Sequence, residues 1–439
     1  MEFGEKINYL VRRLETIEPV RIYGRVKEVV GLLIESSGPR SAVGDICHIF
    51  PPGESTPFPV EVVGFRDDRV LSMSLGDVRG ISPGSDIVAV GEQLQVEVSE
   101  AALGRILDGL GNPIDEKGPI NGAVKCPVYA APPRALSRVP IREPISTGIR
   151  AIDAITTFGR GQRVGIFAGS GVGKSTLLGM IARNTNADVN VIGLVGERGR
   201  EVREFIDHDL GESGLQKSVV IVATSDQPAL IRVKAALITT TIAEFFRNRG
   251  QHVMLMMDSL TRVAMALREV GLTIGEPPTT RGYTPSVFAF LPQLLERAGT
   301  ARSGSITGLY TVLVEGDDMN EPVADASRAI LDGHIVLSRR LASAGHYPAI
   351  DLLQSVSRVM NRVTTEEHQR AANKLIDILA TYREAEDLIN IGAYVKGSNP
   401  KIDYAVKKIN EIQEFLKQNV GEKSELNESI QRLINLMQN

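Results

Sequence analysis

Hydrophobic residues near the start of the chain form short runs that glycine interrupts at close intervals. Between residues 20 and 95 the runs read RIYGRVKEVVGLLIES, GDICHIF, VEVVGF, VLSMSLG and SDIVAVG. Short apolar segments with turn residues between them are typical of antiparallel strands. The pattern therefore predicts a small β-barrel over residues 20–95.

The hydrophobic pattern stops in a proline-rich stretch, residues 119–148, and a different pattern follows it. The stretch contains Pro119, Pro127, Pro132, Pro133, Pro140 and Pro144. Proline lacks the backbone donor that helices and central strands require, so the stretch predicts an ordered connector.

Beyond the connector, apolar runs rich in β-branched residues alternate with longer helical stretches. The runs are VGIF (164–167), VNVIGLVGE (189–197), SVVIVATSD (218–226), HVMLMMD (252–258) and GLYTVLVEGD (308–317). Strands that are buried on both faces and separated by helices indicate a parallel α/β sheet. Four runs end at or near an acid, namely Glu197, Asp226, Asp258 and Glu315. Ligands bind outside the carboxyl ends of such strands, so the acids are expected to collect around a ligand.

Residues beyond about 360 have helical periodicity. The segment TTEEHQRAANKLIDILATY begins with Thr364 and Glu367 at the spacing of a capping box. Apolar residues then recur at helical spacing in two further segments, at Ile402, Val406, Ile409, Ile412 and Leu416 and at Leu426, Ile430, Leu433 and Met437. We therefore expect a helical C-terminal region.

The first residues of the chain also have helical spacing. Apolar side chains stand at Phe3, Ile7, Leu10, Val11, Leu14 and Ile17, with charged residues mostly between them. The pattern predicts an amphipathic helix. Its apolar face either packs on the chain's own barrel or docks into a groove of a partner. A membrane surface fits less well, because the polar face carries both signs of charge.

The composition is that of an ordinary globular protein. Of 439 residues, 43% are hydrophobic and 23% are charged, and the net charge is −4. This balance does not favour binding to nucleic acid or to an anionic membrane. The only cysteines, Cys47 and Cys126, lie far apart, which fits a reducing cytosol. The start MEFGEKINYL has no apolar signal core, so we expect a soluble, cytosolic protein.

The segment AGSGVGKST (168–176) is a candidate phosphate-binding loop, because it follows an apolar strand and precedes a predicted helix. Its glycines allow backbone N–H groups to converge on phosphate. Lys174 is expected to reach the β- and γ-phosphate oxygens and Ser175 to ligate Mg²⁺. The predicted nucleotide-binding residues of the loop are Ala168, Gly169, Ser170, Gly171, Val172, Gly173, Lys174, Ser175 and Thr176. The first position of the motif is usually glycine and here is alanine.

Two acidic residues are candidates for metal binding and for catalysis beside the phosphate-binding loop. Asp258 ends the most apolar strand, where a carboxylate would hold Mg²⁺, although a strand-terminal Asp also commonly caps the next helix. Glu197 follows the strand after the loop's helix and is placed to polarise a water in line with the γ-phosphate. The local spacing alone leaves open whether Glu197 is instead a solvated residue of an arginine-rich turn.

Several blocks of this sequence resemble the rotary-type ATPase family, which includes the catalytic subunits of ATP synthases and the ATPases of type III protein export. These blocks are TGIRAIDAITTFGRGQR, the phosphate loop, GERGREV, RGYTPSVFAFLPQLLERAG and YPAIDLLQSVSR, and the resemblance extends from about residue 20 to residue 400. The block EGDDMNEPVADASRAILDGHIVLSRRLA is more similar to the export branch, and to its flagellar members in particular.

The resemblance implies an α/β fold with an N-terminal β-barrel, a central RecA-like P-loop ATPase domain and a helical C-terminal domain. The boundaries we expect are 1–19 for an N-terminal docking helix, 20–95 for the barrel, 96–359 for the ATPase core and 360–439 for the helical domain. The sheet of the core is expected to be mainly parallel.

The resemblance also assigns catalytic roles. Lys174 of the phosphate loop is one of the expected catalytic residues. Glu197 matches the family's water-activating glutamate, and Arg198 matches an arginine near the γ-phosphate. Arg358, in SVSR, matches the arginine finger that reaches into a neighbour's site; without the motif, a surface cation would be the better interpretation.

The nucleotide base is assigned in the same way. Tyr347, in HYPAID, matches the aromatic residue that stacks on adenine. Tyr394, in IGAYVKG, is a candidate for the other side of that pocket, with core packing as the alternative.

The implied cofactors are ATP and Mg²⁺, and the implied assembly is a homohexamer, because one chain carries the loop, the glutamate and the finger. The implied partners are a stator-like regulator at the N-terminus, a central stalk-like protein, export-gate membrane proteins, and export substrates with their chaperones. No nucleic-acid partner is expected. The implied location is the cytoplasm, at the inner face of a membrane-embedded export apparatus.

Three functions remain open at this point. The first is an export ATPase, flagellar or of virulence-type secretion. The second is the catalytic subunit of a rotary ATP synthase or vacuolar-type pump, against which the GDDMNEP block and the absence of an acidic lever segment argue. The third is a ring-shaped RNA translocase, which the acidic chain and the lack of interleaved aromatic and basic residues in the barrel disfavour.

Overall fold

The computed structural model describes residues 23–54, 56–314, 316 and 318–438. The predicted N-terminal helix lies outside these residues. The described chain divides into two compact units, of which the first comprises the residues through Leu94 with Thr273–Gly275, and the second comprises Gln95–Leu272 and the residues from Glu276 on. Within the described residues, no helix is both long and apolar enough to cross a membrane.

The first unit is a closed barrel of six antiparallel strands in the order β1-β2-β5-β4-β3-β6. Val26, Ile34, Ile49, Val60 and Ile87 fill its interior and are almost fully buried. Side chains alternate between the two faces of a strand, so every second residue of a strand faces this core. The predicted barrel is confirmed. Its strands are β1 (Tyr23–Val30), β2 (Leu33–Ser37), β3 (Asp45–Phe50), β4 (Phe58–Arg66), β5 (Arg69–Ser74) and β6 (Asp86–Gln93).

The second unit begins with four short strands, of which the last two belong to the proline-rich connector. They are β7 (Gln95–Val98), β8 (Arg105–Asp108), β9 (Val124–Pro127) and β10 (Pro144–Ile145). A buried ion pair orders this region: Arg105 donates to Asp115 over 2.7 Å. That hydrogen bond lowers the pKa of Asp115 to about 2. The proline-rich connector is also tied to the fold, because Arg138 donates to the carbonyl oxygen of Ala298 over 2.8 Å.

The main sheet has nine strands, and most neighbouring pairs are parallel, as predicted. Its order is β19-β18-β12-β17-β15-β13-β14-β8, with β16 paired to β17. Among the described strands of this sheet, only the pairs β16–β17 and β18–β19 are antiparallel. All seven residues of β13 are buried, which explains the unbroken apolar run. The remaining strands are β11 (Phe158–Gly159), β12 (Arg163–Ala168), β13 (Val189–Val195), β14 (Ser218–Ala223), β15 (His252–Asp258), β16 (Gly299–Thr300), β17 (Ser305–Leu313), β18 (Gly333–Leu337) and β19 (Val356–Ser357).

Ten helices accompany this sheet among the described residues. A π-helical turn, Phe205–Leu210, lies between the third and the fourth. The helices are α1 (Arg150–Ile155), α2 (Lys174–Asn184), α3 (Gly199–Glu204), α4 (Gly211–Gln216), α5 (Ala229–Arg247), α6 (Leu260–Thr273), α7 (Pro285–Glu296), α8 (Pro322–Ile330), α9 (Arg339–Ser343) and α10 (Met360–Val363).

Three long helices form the C-terminal region, as predicted: α11 (Glu366–Asn390), α12 (Pro400–Leu416) and α13 (Leu426–Gln438). Leu375, Ile412 and Leu433 are fully buried and join one hydrophobic core with Ile152 of α1. The cap of α11 is one residue later than predicted, because the hydroxyl of Thr365 accepts the N–H of His368, whereas Thr364 donates to the carbonyl of Met360.

Candidate active site

The phosphate-binding loop lies at the carboxyl edge of the sheet, between β12 and α2. Ala168 is the last residue of β12 and is buried, as is Val172, whereas Ser170 and Gly171 are exposed. Gly171 (φ +77°) and Gly173 (φ +87°) adopt left-handed backbone conformations that favour glycine. Because the loop leads directly into the N-terminus of α2, its free N–H groups and the helix dipole favour an anion here. Alanine is compatible with position 168, where the motif usually has glycine, because this residue still belongs to strand β12.

Lys174 is held between two carboxylates. Its Nζ lies 2.5 Å from Oδ1 of Asp258 and 3.4 Å from Oε1 of Glu197. The Asp258 side chain is only 4% exposed, and the hydroxyl of Thr311 on β17 donates to the same Oδ1 over 2.6 Å. The fold thus brings together three of the predicted site residues, from the turn after β13, from the end of β15 and from the phosphate loop.

The electrostatics of this group are unusual. Burial alone would lower the pKa of Lys174, but the charges of Asp258 and Glu197 outweigh it and raise the pKa. Burial raises the pKa of Glu197 to about 7, with the negative charge of Asp258 adding to the effect and Lys174 opposing it. A carboxylate that titrates near neutral pH is suited to general base catalysis.

The residues predicted to bind Mg²⁺ supply a suitable donor set. A small cavity of about 20 Å³ is lined by Ser175, Glu197, Glu201 and Asp258. A hydroxyl and carboxylates are the oxygen ligands that Mg²⁺ prefers, and the ion normally keeps several waters and phosphate oxygens besides. No cluster of three or more His, Cys, Asp or Glu arranged for a metal occurs in the described part of the chain.

A cavity of about 740 Å³ opens beside the loop, which is the size of a small-ligand site. Thr176, Glu197 and the largely exposed Arg198 line it with the loop residues. Four more arginines contribute to its wall, namely Arg262, Arg268, Arg281 and Arg339. Such a cationic cavity suits a polyphosphate.

Tyr347 lies beside the loop. A Cβ atom placed on Gly173 would lie 3.5 Å from Cε1 of Tyr347, so the ring is close to the phosphate loop, and the residue is 46% exposed. Tyr394 lies apart, in the turn between α11 and α12, where its hydroxyl is 3.0 Å from both the carbonyl of Asn399 and Oδ1 of Asp403. The structure thus does not bring Tyr394 to the cavity.

Arg358 also lies away from its own chain's cavity. It follows β19 at the edge of the sheet, is exposed, and donates to the carbonyl of Arg328. Of the other acids at strand ends, Asp226 is exposed and does not join the Lys174 group, and Glu315 lies outside the described residues.

Sequence reasoning missed several residues of the site, among them Thr311 and Arg262. Thr311 stands within an apolar strand run, and no local signal marks it. Arg262 stands in the first turn of α6, four residues after Asp258, and this position at the carboxyl edge was an available signal. The side chain of Arg262 lies over Gly196, where a Cβ would come within 2.8 Å of it. Its Nε is buried and makes no hydrogen bond within the described residues.

A phosphate loop that shares buried carboxylates with its lysine, at the carboxyl edge of a parallel sheet, defines the class of P-loop nucleotide-hydrolysing proteins. Two family models match the chain. Residues 148–357 match the nucleotide-binding domain of the ATP synthase alpha/beta family, and residues 364–435 match the T3SS EscN ATPase C-terminal domain.

Relatives match over nearly the full length. The flagellum-specific ATP synthase of Bacillus subtilis is 54% identical over 435 residues, which cover 99% of each chain. The type 3 secretion system ATPase of Xanthomonas euvesicatoria is 50% identical over 93% of this chain and 92% of its own.

Solved structures agree. The assembled ATPase EscN of the enteropathogenic E. coli type III secretion system superposes with a TM-score of 0.89 at 46% identity, covering 94% of this chain and all of EscN. EscN in complex with its central stalk EscO gives a TM-score of 0.87 at 45% identity, with the same coverage. The chain belongs to the flagellar and type III secretion branch of the ATP synthase alpha/beta family, and it is a P-loop ATPase. The resemblance inferred from the sequence is confirmed.

Proposed function

We propose that this protein hydrolyses Mg-ATP to drive the export of flagellar proteins. The observation that carries the proposal is the position of Glu197, 3.4 Å from the phosphate-loop lysine. A protein that only binds nucleotide has no need of a carboxylate there, whereas hydrolysis requires a group that orients and deprotonates water. The 54% identity to a flagellum-specific ATP synthase supports the flagellar pathway.

The residues of the cavity divide the chemistry among them. The loop N–H groups and Lys174 bind the β- and γ-phosphates, so Lys174 must exchange its contact with Asp258 for one with phosphate. Ionised Glu197 accepts a proton from the attacking water. Ser175 and Asp258 would hold Mg²⁺. When bound, this ion would neutralise part of the phosphate charge. Thr311 keeps the Asp258 carboxylate in one orientation.

The arginines stabilise the charge that develops on the phosphoryl oxygens. Arg198 lines the cavity in its own chain. Arg358 lies at the sheet edge of the same chain, and we propose that it completes the site of a neighbouring protomer in a homohexamer. The assembled state of EscN supports a ring. Tyr347 stacks on adenine in this proposal.

The partners follow from the same relationship. A central stalk is proposed because EscN forms a complex with its stalk EscO. Residues 1–19 are proposed as a docking helix for a stator-like regulator. Export-gate membrane proteins and substrate–chaperone complexes complete the proposed partners, and the proposed location is cytoplasmic, at the inner face of the export apparatus.

Virulence-type secretion is the second candidate, because a type 3 secretion system ATPase is 50% identical to this chain. Deleting the gene and scoring flagella, motility and oxidative growth separates the candidates. Loss of filaments with intact oxidative growth is the expected result. Normal motility would exclude the flagellar function, and failure of oxidative growth would favour an ATP synthase subunit.

A further inference from the structure

The linker between helices α12 and α13, residues 417–425, contacts the loop that carries Tyr347. The backbone N–H of Gln418 donates to the carbonyl oxygen of Tyr347 over 3.0 Å. Tyr347 itself is 46% exposed, so apolar packing alone does not hold it. A hydrogen bond from a fixed neighbour is therefore an effective way to position this residue.

Gln418 is itself firmly held, through its side-chain amide. Nε2 donates to the carbonyl oxygens of Gly148 (2.7 Å) and Glu422 (2.9 Å). Oε1 accepts the backbone N–H of Arg150 over 2.8 Å. Gln418 is only 5% exposed, and every polar atom of its amide has a partner, so its rotamer is determined by the start of α1.

Two arginines attach the same linker to the core. The guanidinium of Arg150 donates to the carbonyl oxygens of Phe415 (2.8 Å) and Lys417 (3.1 Å) and pairs with the carboxylate of Glu422. Arg183, near the end of the phosphate-loop helix α2, donates to the carbonyl of Val420 over 2.9 Å. The linker is thus tied to α1, to α2 and to the Tyr347 loop.

We propose that Gln418 is a positioning residue for the nucleotide base. Its amide fixes the linker against α1, and its N–H holds the Tyr347 loop so that the ring faces the base beside Gly173. The inference rests on the proposed function, in which Tyr347 stacks on adenine. It makes the affinity for the base depend on a segment of the C-terminal helical region, while the phosphate chemistry is left to the loop.

The test is a Gln418→Met variant, which keeps the length of the side chain and removes all three amide hydrogen bonds. The matched control is Lys374→Met, because Lys374 also donates to a carbonyl of the helical region, that of Met437, but away from Tyr347. Steady-state ATPase kinetics, competitive inhibition by inorganic tripolyphosphate and a thermal melt are measured on the full chain. Tripolyphosphate has no base, so it reports the phosphate site alone.

We expect Gln418→Met to raise the KM for ATP about fivefold, which corresponds to the loss of about one hydrogen bond. The kcat and the inhibition constant of tripolyphosphate should stay unchanged, and Lys374→Met should leave all three values unchanged. A melting temperature that falls without a change in KM would overturn the proposal, and so would a parallel weakening of tripolyphosphate inhibition.

A second variant covers the case in which Gln418→Met does not fold. Gln418→Asn keeps the amide but shortens the side chain by one methylene, so it cannot reach all three partners; a smaller rise in KM is expected, and an unchanged KM would contradict the proposal. Failure of the wild-type chain to hydrolyse Mg-ATP would refute the proposed function. Active wild type with an unchanged KM in both Gln418 variants would refute only the role of Gln418.

Discussion

The two ends of the nucleotide site are built in different ways. The phosphate end consists of a contiguous loop and buried charged groups, with Lys174 between Asp258 and Glu197. The base end consists of a half-exposed ring, Tyr347, held by a backbone hydrogen bond from the distant Gln418. Charge in a buried setting acts strongly on a reaction that moves charge, whereas a ring and a neutral hydrogen bond act on binding. We therefore expect the phosphate end to control kcat and the base end to control KM.

The largest effect is expected at Arg358. Arg358→Ala should lower kcat about a thousandfold, because arginine fingers contribute at least that much to phosphoryl transfer. Specific activity of the wild type should rise with protein concentration, and mixing Arg358→Ala with Lys174→Ala chains should restore part of the turnover. Two results together would show that the site is complete within one chain: no rescue when the two variants are mixed, and wild-type specific activity that does not depend on protein concentration.

Glu197→Gln should lower kcat by about a hundredfold or more, because the amide keeps the size but is no longer a base. Nucleotide affinity, measured with a fluorescent nucleotide, should change little. Lys174→Ala is the contrasting variant and should weaken nucleotide binding as well. Full turnover in Glu197→Gln would remove Glu197 from the mechanism and with it the division between the two ends.

The pH profile of kcat/KM should show the raised pKa of Glu197, about 7. Only the ionised form is a base, so activity should fall below pH 7, by about tenfold per pH unit at the acidic end. The same shift affects stability, because the folded protein binds the proton of Glu197 more tightly than the unfolded chain does. The resulting stabilisation is complete below the unfolded pKa of about 4.3 and is lost as the pH rises through about 7. Melting temperatures of wild type and Glu197→Gln should therefore diverge between pH 5 and 8, the wild type falling relative to the variant. Parallel melting curves and a flat activity profile would contradict the shift.

The smallest effect is expected at the base end. Tyr347→Ala should raise the KM for ATP by about fivefold to tenfold with little change in kcat, because a stacked ring contributes about 1 kcal/mol. Tyr347→Phe keeps the ring and should behave as wild type. A large fall in kcat in Tyr347→Ala would show that the two ends are not separable.

Part of this molecule is determined by local sequence. The loop AGSGVGKST forms its anion site from neighbouring residues, the left-handed glycines Gly171 and Gly173 among them, so its position and chemistry follow from the sequence. The barrel and the long helices follow from hydrophobic periods of two and of about 3.6 residues. The parallel sheet follows from unbroken apolar runs that are separated by helices. The details of a single cap were not determined in this way. The capping-box spacing to Glu367 favours Thr364, but the path of the chain makes Thr365 the cap.

The tertiary structure alone decided which distant residues meet. Glu197 and Asp258 both end strands, as does the run with Asp226, yet only the first two reach Lys174, because their strands β13 and β15 lie nearer to β12 in the sheet than β14 does. The contacts of Thr311 with Asp258 and of Gln418 with Tyr347 join residues more than fifty positions apart. A local pattern contains no information on such pairs, since they arise from the order of strands and the packing of helices rather than from the period of any one element.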